Sequence, residues 1–375
     1  MNKDFTTQYL IKIALRVAGP ILIFLCVVYI VSIISIHGLS EETITSTKDA
    51  FSTSGSLGDT INGIFAPLMG GLAVITTFLA FIAQYDANQK ITKQFQRERF
   101  ENKFYEMLRL HKENINEVEI RNNYKGRKAF IKMYVEFRFI YFIVNAIREN
   151  WEEKGKAVND NEDYYMKIAY TIFFFGVGDL EEGSLIYESK DDKFFEEVIE
   201  YCNNKVHTEK KEAGHISARI PNKGTQIEIW DAKYNPMMGH ASKLGHYFRH
   251  LYQTIKFVVL APPFSDDLEE DQKIKYEYIK TLRAQLSNHE QAMIYFNSFF
   301  KAGNVWWGDD KIKSRNKDGS LISYFLNWRI IKNLPFNLTQ FGVSPKDKFA
   351  RELENRGNSK KEIENELVKL FEWLE

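Results

Sequence analysis

Cysteine is nearly absent from this chain: two occur in 375 residues, Cys26 inside an apolar run and Cys202 far away in a polar region. Their settings keep them from pairing, so a disulfide framework is excluded and a reduced, cytosolic setting is expected for the main domain. Net charge is missing as well, because 50 basic residues balance 50 acidic ones. No bulk attraction to nucleic acid or to a strongly acidic partner follows, and any such surface has to be local. Phosphate-binding loops are missing too. Gly176-Val177-Gly178 lacks the third glycine and the strand-turn-helix unit of a dinucleotide fingerprint, and no GxxxxGK[ST] run occurs. No internal repeat is present.

The most informative absence is of charge from two stretches. Residues 17–40 contain no Asp, Glu, Lys or Arg, and 17–36 are almost wholly apolar, enough to cross roughly 30 Å of hydrocarbon as a helix. Residues 60–85 form a second uncharged run; it holds Asn62, Pro67 and several Gly and Thr, yet is long enough to span. A cleaved signal peptide is the competing reading of the first run, but no A-x-A type site follows Ile36. Lys3, Lys12 and Arg16 precede the first run, and Lys90, Lys93, Arg97, Arg99 and Lys103 follow the second. The connection offers Lys48 against Glu41, Glu42, Asp49 and Asp59. Basic flanks stay inside, so the expected order is a cytoplasmic N-terminus (1–16), a first span (17–36), a periplasmic loop (37–60), a second span (61–85) and a cytoplasmic domain (86–375).

Within the second span, steps of three and four pick out Gly63, Ala66, Gly70, Ala73, Thr77, Ala80, Gln84 and Ala87, all small or polar. Small residues at this spacing let helix backbones approach in lipid, so the seam is expected to pack on the first span or on other copies of the chain. The absence of charge within the spans speaks against a standing ion pathway.

The rest reads as mainly α, with aromatics at 14% (29 Phe and 19 Tyr) suiting a core packed on rings. Apolar spacing predicts a helix leaving the membrane from Asp86, then helices over 129–149, 164–177, 242–260, 266–300 and 359–374. Residues 203–239, rich in Gly, Asn and Lys, read as an irregular or β insert with a short strand at 225–230. Asp231-Ala232-Lys233 has the look of a nuclease carboxylate-x-Lys pair but reads better as a turn.

Two candidate sites stand out. His240, His246 and His250 are close in sequence, the last two four apart as helix-borne metal ligands are, yet no third ligand type accompanies them, so neither a metal nor another cofactor is expected. Arg283 and His289 resemble the R-x4-6-H motif of HEPN ribonucleases, in which the pair activates a ribose hydroxyl and stabilises phosphate charge. Six positions apart on one straight helix, they do not share a face.

Further blocks carry a family likeness: Phe104-Tyr105-Glu106-Met107-Leu108 with His111; Gly126, Phe130 and Tyr134; His246-Tyr247-Phe248-Arg249 with Tyr252 and Lys256-Phe257; Tyr276; and Leu282-Arg283-Ala284-Gln285-Leu286-Ser287 with Glu290. Together they resemble the putative phage abortive infection protein family, from the second span to about residue 300. Two spans ahead of such blocks also resemble the transmembrane effectors of retron anti-phage systems. The resemblance implies a non-enzymatic membrane toxin held inactive by a reverse transcriptase and its RNA-linked DNA, oligomerising on release and acting on the lipid bilayer. The alternative is a membrane-tethered ribonuclease using Arg283 and His289. The family's polar positions fall on His111, His246, Arg249, Arg283, Gln285 and Glu290, where a buried network fixing helix register is expected.

Overall fold

A computed structural model describes residues 47–120, 124–177, 192–212, 216–221, 227–232, 236–310 and 321–372, with isolated positions between 16 and 31. The architecture is mainly helical, and the chain divides into two compact units, Met1–Arg99 and Phe100–Glu375.

The first element whose bounds are described is a single helix of 71 residues, α1 (Thr47–Glu117). Among the described residues it is the one helix long and apolar enough to cross a membrane. The expected first span at 17–36 falls largely outside the described residues; within it Ile23, Val27, Ile30 and Val31 are helical and exposed. The expected loop at 37–60 needs correction, because its second half is helix from Thr47 on. Turns added to a helix already begun need no costly nucleus of their own, which carries a Ser/Thr/Gly-rich stretch that shows no apolar period. Pro67 lies inside α1. Where the chain changes from apolar to charged, near Asp86, the helix continues without a break, as the spacing predicts.

The second unit begins within the same helix. Phe100 stacks on Phe257 with centroids 4.9 Å apart, and the fully buried Phe104 meets Tyr278 edge to face at 5.2 Å. Glu101 accepts a hydrogen bond of 2.7 Å from the Tyr278 hydroxyl. A short antiparallel pair, β1 (Glu119–Ile120) and β2 (Tyr124–Lys125), turns the chain into α2 (Arg127–Glu153). This helix is central: it packs on α3 (Glu162–Phe175) and on α7 (Asn288–Asn297), with Phe137 4.5 Å from Phe296. The dense apolar run at 164–177 is buried core, as its length requires.

Helix α4 (Lys193–Glu212) extends into the region read as irregular. The insert itself is a hairpin of β3 (Ile216–Pro221) and β4 (Ile227–Ala232), paired antiparallel with Ala218 opposite Trp230. Asp231 therefore sits in β4 opposite Ser217, not in a turn. The chain then crosses the end of α3. Val177 donates to the Met237 carbonyl at 2.9 Å and His240 to the Phe174 carbonyl at 2.8 Å. Gly176 and Gly239 make this crossing possible. Both have positive φ, 84° and 81°, and a Cβ on either would lie 2.6 Å or less from the other strand's backbone.

Helix α5 (Ala241–Val259) follows, then α6 (Leu268–Arg283) and α7. One continuous helix through 266–300 was expected; the structure breaks it after Arg283 and caps the next helix with Ser287. Two further helices close the chain, α8 (Pro345–Asn355) and α9 (Lys360–Leu370). The former went unanticipated. It is held to α3 by Lys348 and Arg351, whose side chains reach the Asp163 carboxylate at 2.9 and 2.8 Å. Phe325, Phe349 and Phe371 are fully buried here, so the C-terminal region completes the core.

Candidate functional site

Two of the polar positions singled out from the sequence, His111 and Glu290, are buried where α1, α2, α5 and the α6–α7 joint meet within the second unit. Glu290, in the first turn of α7, has no exposed surface. Its carboxylate accepts from the backbone N–H of Ser287 at 2.8 Å, the Ser287 hydroxyl at 2.6 Å and the Tyr247 hydroxyl at 3.2 Å. Ser287 in turn accepts from the Glu290 N–H, completing a capping box that satisfies donors the helix start would leave orphaned. The Arg127 guanidinium stands 3.6 Å from the same carboxylate and donates to the Gln285 carbonyl at 2.7 Å. One carboxylate thus joins α2, α5 and α7. Burial, and then the neighbouring carboxylate, push the Tyr247 phenol well above its ordinary range, so it remains a donor.

His111, near the C-terminal end of α1, is fully buried with neither ring nitrogen hydrogen-bonded. Its ring lies 5.3 Å from Tyr247 and stacks 6.1 Å from His250 on α5. Burial first, then the nearby His250 and Arg127, lower its pKa to about 4. It is a neutral imidazole at pH 7. His250 is shifted in the same direction by burial and by His246. His246 itself is exposed, and so are Arg249 and Gln285.

The three histidines of the possible ligand set are not gathered. His240 is buried at the start of α5 against Glu136, Nε2 to Oε2 3.0 Å, with its ring 4.9 Å from Phe173. Among the described residues no group of three or more His, Cys, Asp or Glu is arranged to hold a metal. Glu136 also accepts from the Met237 N–H at 2.7 Å and so anchors the crossing beside Gly239. Sequence reading passed over it. A lone acid on the buried face of an apolar helix was the available signal.

Arg283 and His289 do not share a helix. Arg283 ends α6, where it donates to the Arg329 carbonyl at 2.6 Å and lies over the Tyr276 ring. His289, in α7, sits edge to face against Tyr134 at 5.4 Å, and burial lowers its pKa. The expectation of a single helix fails because the Ser287 cap starts a new one, and each side chain is engaged by a different neighbour. Of the six family positions only Glu290 and Arg283 hydrogen-bond to distant parts of the chain through their side chains, while His246, Arg249 and Gln285 are exposed, so the buried network expected of all six is limited to part of the set.

No curated protein and no solved structure matches the chain. A match to a family model begins at the glycine of the crossing and covers α5, α6, the capping box and α7, the segment carrying five of the six polar positions named above. Residues 239–338 match the family model described as putative phage abortive infection protein.

Proposed function

We propose that the protein is a membrane effector of an abortive infection system, toxic when unrestrained. The observation that carries the reading is α1, one helix that contains the candidate span and also supplies Phe100, Phe104 and His111 to the core of the second unit. The family match supplies the defence context. In this reading both termini are cytoplasmic and a second span precedes Thr47. A reverse transcriptase with its RNA-linked DNA restrains the helical domain, as in the retron effectors that the sequence resembles. Release lets copies associate through Gly63, Ala66, Gly70, Ala73, Thr77, Ala80 and Gln84 and breach the bilayer. All seven are exposed, and a Cβ added at Gly63 or Gly70 would meet no atom within 4 Å. Small residues in that state suit close helix approach in lipid.

The test is expression of the unrestrained full-length chain in cells, following dye entry and membrane potential. Growth arrest accompanied by dye entry is expected, and Gly70→Leu with Ala73→Leu should abolish both while insertion persists. Arrest with an intact membrane would overturn the reading and turn attention to cleaved RNA.

A further inference from the structure

A cleft of about 570 Å³ opens on the side of α5 away from His111. One wall is α5 itself, where Ala241, Gly245, Arg249 and Gln253 follow one another at four-residue steps and so line up along one face. The remaining lining includes Phe174 from the end of α3, whose ring lies beside Gly245, and the edges of the largely buried Phe300 and Trp306 from the segment after α7. Among the described residues the side chains of Arg249 and Gln253 are exposed and make no hydrogen bond or ion pair. A guanidinium thus lines the cleft, open to solvent and without a counter-ion.

Gly245 is the second, independent observation. It lies inside a 19-residue helix, where glycine is a poor choice. Packing does not require it. An added Cβ would meet only the Phe174 ring, 3.8 Å away, an ordinary contact. The space that the missing side chain leaves belongs to the cleft.

We propose that this cleft binds a planar aromatic ligand carrying an anionic group, the chemistry of a nucleotide. The ring packs against the exposed edge of Phe174 beside Gly245, the phosphate pairs with Arg249, and Gln253 supplies an amide donor and acceptor to the ring edge. Recognition needs no glycine-rich loop, which accounts for the absence of any phosphate-loop signature in the sequence.

The experiment uses the full-length protein in detergent, titrated with AMP, GMP, CMP and UMP and, separately, with adenosine and with inorganic phosphate, read by calorimetry and thermal shift. At least one monophosphate should bind more tightly than both adenosine and phosphate. Arg249→Ala, at an exposed position, should weaken it about tenfold or more. Gly245→Ala should melt at the native temperature or above while also weakening the ligand. The proposal is overturned if no monophosphate binds at millimolar concentration, if phosphate alone binds equally well, or if both variants bind like the native chain.

Discussion

At Glu290 a carboxyl group is fully buried, and the three hydrogen bonds it accepts make that tenable. Glu290→Ala leaves the Tyr247 hydroxyl without its acceptor, Arg127 without its counter-charge and α7 without half of its capping box. A loss of about 3 kcal/mol is expected from breaking such a network, read as a lower urea midpoint. His111 gives a prediction in pH. Its native pKa, about 4, lies below the ordinary 6.5, so the unfolded chain takes up the proton first. Stability from this group is complete above pH 6.5 and drains as pH falls towards 4, by about 3 kcal/mol at full titration. His250 and His289, lowered in the same direction by burial, add to the slope. In denaturation at pH 7 and pH 5, His111→Leu should show a smaller difference than the native chain; an unchanged difference would remove His111 as the source. Neither role can be read from the residue alone. A histidine on an amphipathic pattern does not announce whether it is buried unpaired.

Among the elements, the joint between α6 and α7 is the instructive one. Apolar spacing runs smoothly from 266 to 300, because both helices bury a face against the same core. The break is nevertheless written in Ser287-Asn288-His289-Glu290, a serine followed three positions later by a glutamate. The same signature at Ser359 and Glu362 marks the start of α9, and Ser344 before Pro345 marks α8. Ser287→Ala should cost about 1 kcal/mol through the cap, more if Glu290 loses its orientation, as thermal unfolding of the variant would measure. Helix α1 shows the converse. Its two halves differ so much in composition that the sequence divides them into loop, span and soluble helix, and backbone hydrogen bonding, indifferent to that composition, runs through all three. The β3–β4 hairpin was half legible. The alternation at β4 is visible, while β3, where Ile216, Ala218 and Ile220 alternate with Ser217 and Arg219, is short and ends on Pro221 and was passed over.

For the molecule as a whole, the exposed apolar residues of α1 make a physical demand. Val74, Phe78 and Phe81 are 69%, 62% and 66% exposed, a load that water does not tolerate on a contiguous face. The full-length chain is therefore expected to sediment with membranes and to stay there through alkaline carbonate extraction; release into the supernatant would mean that this face is covered by protein instead of lipid. What the sequence determined by itself is what depends on near neighbours: the apolar runs, the helical periods, the caps and the blocks of the family match. Which polar groups meet was decided only by the tertiary structure. Glu290 reaches Tyr247 and Arg127 across long separations in the chain, Arg283 turns to the Arg329 carbonyl instead of to His289, and Glu136 finds His240 at a crossing that two glycines permit. Those pairings follow from burial. A polar group taken out of water must accept whichever partner the packing of distant helices brings within reach.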